Sequence, residues 1–128
     1  MIVRTLLLVL VLASCGKSNS QESNTTSSTT EYKRVELDEF KEIIKDPEVQ
    51  LVDVRTPGEY SGGYIDDAVN IDYTANDFMS NVESKLDKEK PVAVYCAAGG
   101  RSAKAMEKLR AAGFKKVYEL GVGYNGYE

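Results

Sequence analysis

One stretch, PVAVYCAAGGRSAKAMEKLRAAG at positions 91–113, constrains this chain more than any other. The β-rich apolar run 91–95 passes through a cysteine and four small residues into a segment of helical period. There Ala103, Met106 and Leu109 recur on one face, and Gly113 closes the helix. The same alternation appears elsewhere. Leu37, Phe40, Ile43 and Ile44 share a helical face that Pro47 ends, and VQLVDV at 49–54 reads as a short strand. Phe78, Val82 and Leu86 predict a helix over 77–86, and 117–120 is a third strand candidate. Strands alternating with helices in this way argue for an α/β domain built on a largely parallel sheet.

Composition removes several chemistries. The 128 residues include no histidine, no tryptophan and two cysteines. A Ser-His-Asp triad, a Cys-His dyad and a histidine-ligated metal are therefore excluded. Two thiols cannot build a four-thiolate metal site and allow at most one disulfide. With 16 Lys+Arg against 20 Asp+Glu, the net charge is −4, and no basic stripe is present. That balance argues against a nucleic-acid partner.

The chain opens MIVRTLLLVLVLASC. Arg4, the apolar run 6–12 and the small residues Ala13 and Ser14 form a secretory signal pattern. The run is shorter than the roughly 20 apolar residues of a membrane-spanning helix. Leu12-Ala13-Ser14-Cys15 resembles the lipobox of bacterial lipoproteins. The resemblance implies cleavage before Cys15, a diacylglycerol on its sulfur and a bacterial cell-envelope location, with the domain in the periplasm or outside the cell. Residues 16–30 contain five serines, four threonines and two asparagines and no residue to bury, as expected of a tether. The expected organisation is a signal peptide at 1–14, lipidated Cys15 and a flexible linker at 15–30, and a domain at 31–128.

The chemistry is expected at Cys96. Ala97, Ala98, Gly99 and Gly100 keep side chains out of the way, so their backbone N–H groups can surround one point, as in an anion-binding nest. A helix expected to begin near Ser102 adds its unsatisfied N–H groups and the positive end of its dipole. Arg101 adds a full positive charge. All three favour an anion at the loop centre and should hold Cys96 as the nucleophilic thiolate.

Cysteine phosphatases place five residues between Cys and Arg, whereas four separate Cys96 from Arg101. The shorter loop encloses a sulfur atom better than a whole phosphate, and it resembles the active loop of the rhodanese family of sulfurtransferases. The segment LVDVRTPGEYSGGYIDDAVNI is similar to a second motif of that family through Asp53, Arg55, Glu59, Tyr60, Gly63, Ile65, Ala68, Asn70 and Ile71. The ending VYELGVGYNGY is similar to a third. The likeness spans about 33–127. It implies a rhodanese-like three-layer fold: a central, mostly parallel five-stranded sheet with helices on both faces. Departures are Ala97 where Arg is frequent, Tyr64 for His, Asp67 for Gly, Val122 for the first closing Gly, and Tyr127 for Trp. The family's last helix is expected to be clipped or absent.

The resemblance implies a sulfurtransferase. Cys96 takes sulfane sulfur from a small donor such as thiosulfate or a persulfide, and Arg101 helps the remainder leave. The loop 97–102 holds the persulfide, which passes to a thiol or to cyanide, with no cofactor and no metal. Asp53, Arg55 and Glu59 are read as an ion-pair cluster bracing the neighbouring loops, and Tyr64, Tyr95 and Tyr124 as candidates for the pocket mouth. A monomer is favoured. The alternatives are a sulfur-carrying or binding module without turnover, and a thiol-redox module.

Overall fold

The computed structural model describes residues 29–127. The expected signal peptide, the lipidated Cys15 and nearly all of the linker lie outside the described residues. The elements run β1 (Glu31–Val35), α1 (Leu37–Ile43), β2 (Gln50–Asp53), α2 (Pro57–Ser61), β3 (Val69–Asn70), α3 (Phe78–Lys85), β4 (Val92–Tyr95), α4 (Gly100–Ala111) and β5 (Lys116–Leu120), then a 3₁₀ turn at Tyr124–Gly126.

Every strand pair is parallel, in the order β1-β5-β4-β2-β3. The expected three-layer α/β architecture with a five-stranded sheet is therefore present, and its sheet is parallel throughout. The pleat sends alternate residues to opposite faces. Val52, Val92, Val94, Cys96 and Val117 pack with Phe78 and Val82 of α3 and Ala105 and Leu109 of α4. Ala93, Tyr95 and Leu120 pack on the other face with Phe40 of α1 and with Ile65 and Ala68. All four residues of β4 are buried, as befits a central strand covered on both faces.

Two strands escaped the sequence reading. β1 reads EYKRV and buries only Val35 fully, so it carries no apolar run. Such charge is usual on an edge strand. β3 has two residues, too few for any period. The helix after Cys96 starts at Gly100 rather than near Ser102, because Gly99 at φ 92° turns the chain two residues earlier. Its C-terminus is closed by Gly113 at φ 93°, with Phe114 N–H donating to Leu109 O at 3.1 Å.

Candidate active site

Cys96 follows the last residue of β4 and points to the face that α4 covers. The short connection 97–99 wraps its sulfur. Gly99 N–H donates to Cys96 Sγ at 3.1 Å, and the Ser102 hydroxyl lies 3.3 Å from the same sulfur. Burial pushes the thiol up. The Ser102 hydroxyl and the N–H groups of Ser102, Ala98 and Gly99 outweigh that and hold it below its ordinary value. The thiol itself is buried.

The closing segment fixes this loop from the other side. Tyr124 N–H donates to Cys96 O at 2.7 Å, and Asn125 N–H to Ala97 O at 3.0 Å. Gly123, at φ 65°, lies so near the Ala97 carbonyl that a Cβ there would strike it. Val122 is 41% exposed, and the covered part of its side chain lies against Gly126, where a Cβ would meet it at 2.7 Å.

Arg101 lies in the first turn of α4, and its guanidinium forks onto Glu59, with Nη1 to Oε1 at 2.7 Å and Nη2 to Oε2 at 3.0 Å. The Arg101 contact holds the Glu59 carboxyl down to about 2, against the opposing pull of burial. Glu59 also closes a capping box with Thr56 at the start of α2, where Pro57 occupies the first turn. The positive charge expected at the loop centre is thus already paired with a carboxylate from another helix.

Asp53 and Arg55 form a separate buried pair. Arg55 Nε reaches Asp53 Oδ1 at 3.0 Å and Nη2 reaches Oδ2 at 2.7 Å, while Nη2 also donates to Gly63 O at 2.7 Å. Asn70 Nδ2 donates to the carbonyls of both Asp53 and Arg55. These bonds tie together the ends of β2 and β3 and the segment after α2. Of the three tyrosines expected at the pocket mouth, Tyr95 is fully buried and accepts Ile65 N–H at its hydroxyl, so it belongs to the core. Tyr64 is exposed and stacks on Tyr60 with ring centroids 4.0 Å apart. The Tyr124 ring lies under the Arg55 guanidinium at 4.0 Å.

Two residues near the sulfur escaped the sequence reading. Glu119 of β5 is fully buried and accepts Ser102 Oγ–H at 2.6 Å. Arg34 of β1 donates to Glu119 Oε2 through Nε at 2.7 Å and to Gly99 O through Nη2 at 2.9 Å. Period 2 in KVYEL puts Glu119 on the face of the buried Val117, a signal that an ionisable side chain points inward. Arg34 carries no comparable signal.

The model of the rhodanese-like domain family matches residues 36–128. The chain is 34% identical over 116 residues to thiosulfate sulfurtransferase 18 of Arabidopsis thaliana, covering 82% of this chain and 85% of that protein. It is 32% identical over 97 residues to the thiosulfate sulfurtransferase GlpE of Coxiella burnetii, covering 76% and 88% respectively. Among solved structures, a rhodanese-like domain protein from Staphylococcus aureus superposes with a TM-score of 0.65 at 33% identity, covering 75% of this chain and 91% of that one.

Proposed function

The chain belongs to the rhodanese-like domain family, and on that premise we propose that it moves sulfane sulfur from a small donor to a thiol acceptor through a persulfide on Cys96. The observation that carries this reading is the cradle around the buried Cys96 sulfur, formed by the Gly99 N–H and the Ser102 hydroxyl. Cradles of this kind stabilise charge on the atom they surround, as an oxyanion hole does for oxygen.

The chemistry balances without a redox partner. The Cys96 thiolate attacks the outer sulfur of the donor. A Cys96 S–S bond forms, the donor's own bond to that sulfur breaks, and its electron pair leaves with the remainder, sulfite in the case of thiosulfate. The terminal persulfide sulfur carries the negative charge. An acceptor thiolate then attacks that sulfur, and Cys96 leaves as thiolate. This is a ping-pong sequence with a covalent intermediate. Arg101 keeps N–H groups beyond the two that Glu59 takes, and these meet the departing anion.

Ala97 brings no charge to the loop, and Arg101 is paired. Both features favour a persulfide donor over the thiosulfate dianion. The test is mass spectrometry of the full chain after exposure to thiosulfate or to a low-molecular-weight persulfide. The Cys96 peptide is expected to gain one sulfur, more with the persulfide, and Cys96→Ser to gain none at that position. A Cys96→Ser protein that still takes sulfur there overturns the reading. Thiocyanate formation from thiosulfate and cyanide separates turnover from carriage. The proposal extends to a lipid anchor at Cys15 in the bacterial envelope, supported by the Leu12-Ala13-Ser14-Cys15 pattern. Incorporation of a labelled fatty acid, lost in Cys15→Ser, is its test.

A further inference from the structure

Glu119 is a buried ionisable group beside the sulfur that the transfer scheme leaves unused. It sits on β5, between β1 and β4, with no exposed surface. Its carboxylate accepts Arg34 Nε at 2.7 Å, Arg34 Nη2 at 3.3 Å and Ser102 Oγ at 2.6 Å. Ser102 Oγ is in turn 3.3 Å from Cys96 Sγ.

The single hydroxyl hydrogen of Ser102 decides what this chain of contacts does. A serine hydroxyl has one hydrogen and two lone pairs, and an ionised carboxylate only accepts. The short contact to Glu119 is of the charge-assisted kind and claims that hydrogen. Ser102 then offers Cys96 a lone pair, which suits a thiol donating S–H. A thiolate beside an ionised Glu119 would leave two buried anions competing for the Ser102 hydrogen, with Gly99 N–H still on the sulfur and Arg34 still on the carboxylate. The two arrangements in which Ser102 serves one anion at a time differ by a single proton, held on Cys96 in one and on Glu119 in the other.

We infer that Glu119 accepts the Cys96 proton through the Ser102 hydroxyl. The S–H bond breaks as a new Oγ–H bond forms, and the former Ser102 hydrogen passes to Glu119 Oε1. The products are a thiolate hydrogen-bonded by Ser102 and a carboxylic acid hydrogen-bonded back to Ser102. One proton moves, net charge is unchanged and nothing is oxidised. Arg34 holds Glu119 at Oε2 and the Gly99 carbonyl at once, so the carboxyl and the cysteine loop keep a fixed relation. The other charges near the sulfur cannot take the proton in its place. Arg34 and Arg101 are cations. Although each nearby carboxylate is paired with an arginine, only Glu119 is hydrogen-bonded to Ser102 Oγ among the described residues, while Glu59 binds Arg101 and Thr56 and Asp53 binds Arg55. In a chain without histidine, this supplies the thiol with a base.

The inference rests on the sulfurtransferase reading, but its test does not use sulfur transfer. The full chain is alkylated with iodoacetamide between about pH 5 and about pH 9, and the rate is read by mass at the Cys96 peptide. In the parent protein a proton shared with Glu119 gives a shoulder of reactivity on the acid side, where an isolated thiol is inert. Glu119→Gln is expected to remove the shoulder and slow alkylation about tenfold at about pH 6. Ser102→Ala, which leaves the Arg34–Glu119 pair intact, is expected to do the same. A Glu119→Gln protein that alkylates as fast as the parent, or faster, overturns the relay, since removing a mere neighbouring negative charge would ease thiolate formation. Failure of the parent to load sulfur at any pH would sink the sulfurtransferase reading and leave the proton relay standing.

Discussion

Gly123 and Gly99 stand where a side chain has no room. Gly123 combines φ 65° with ψ −171°, a backbone region that is essentially glycine's alone, and a Cβ there would meet the Ala97 carbonyl and, at 2.7 Å, the Ala98 nitrogen. Gly99 at φ 92° packs on the Gly121 carbonyl. Gly123→Ala is therefore expected to cost about 1–3 kcal/mol in backbone strain. It should also displace the loop that holds Cys96. A lowered urea midpoint together with weaker sulfur loading at Cys96 would bear this out, and a neutral substitution would refute it. At this scale the sequence was informative where a residue's role is local. The run of small residues after Cys96 signals a backbone cradle by itself. Ser102 and Glu119 were harder, because a hydroxyl and a carboxylate 17 positions apart meet only once β5 lies beside β4.

At the scale of elements, the ends of β2 and β3 depend on the Asp53–Arg55 pair. Both side chains are almost wholly enclosed, and Arg55 alone links Asp53, the Gly63 carbonyl and the Tyr124 ring. Removing one member of such a pair leaves an uncompensated buried charge, which typically costs about 3–5 kcal/mol. Asp53→Ala should lose that much in equilibrium unfolding, while Cys96 in whatever folded protein remains keeps its alkylation rate. A loss below about 1 kcal/mol would show the pair to be dispensable. The helices α1, α3 and α4 and the strands β2, β4 and β5 were legible because each carries an apolar period. β1 was not, since an edge strand buries one residue in five and its register is set by pairing with β5. β3 owes its existence to two residues laid against β2.

At the scale of the whole molecule, the Glu59–Arg101 fork joins α2 to the start of α4 across 42 positions of sequence. Its pH signature follows from the sign of the shift. The folded Glu59 carboxyl lies at about 2, below the ordinary 4.5. The folded state thus binds this proton less readily than the unfolded chain, so the contribution is complete above about 4.5 and is lost as pH falls through about 2. With side-chain exposures of 28% and 36%, the pair is partly screened by solvent, and the effect is modest. The difference in melting temperature between the parent and Glu59→Gln is expected to shrink steadily over that acid window, and a constant difference would refute the assignment. The largely parallel α/β class, and the strand, Cys96 loop and helix that surround a sulfur with backbone donors, are legible in the order of residues alone. Those features follow from short-range periodicity and from glycine's conformational freedom, which act within a dozen residues. Which charges face the sulfur depends on how distant elements come together. The strand order β1-β5-β4 brings Arg34 and Glu119 to Ser102, and α2 brings Glu59 to Arg101. Side-chain partners are set by which strands and helices lie next to one another, and no local pattern encodes that.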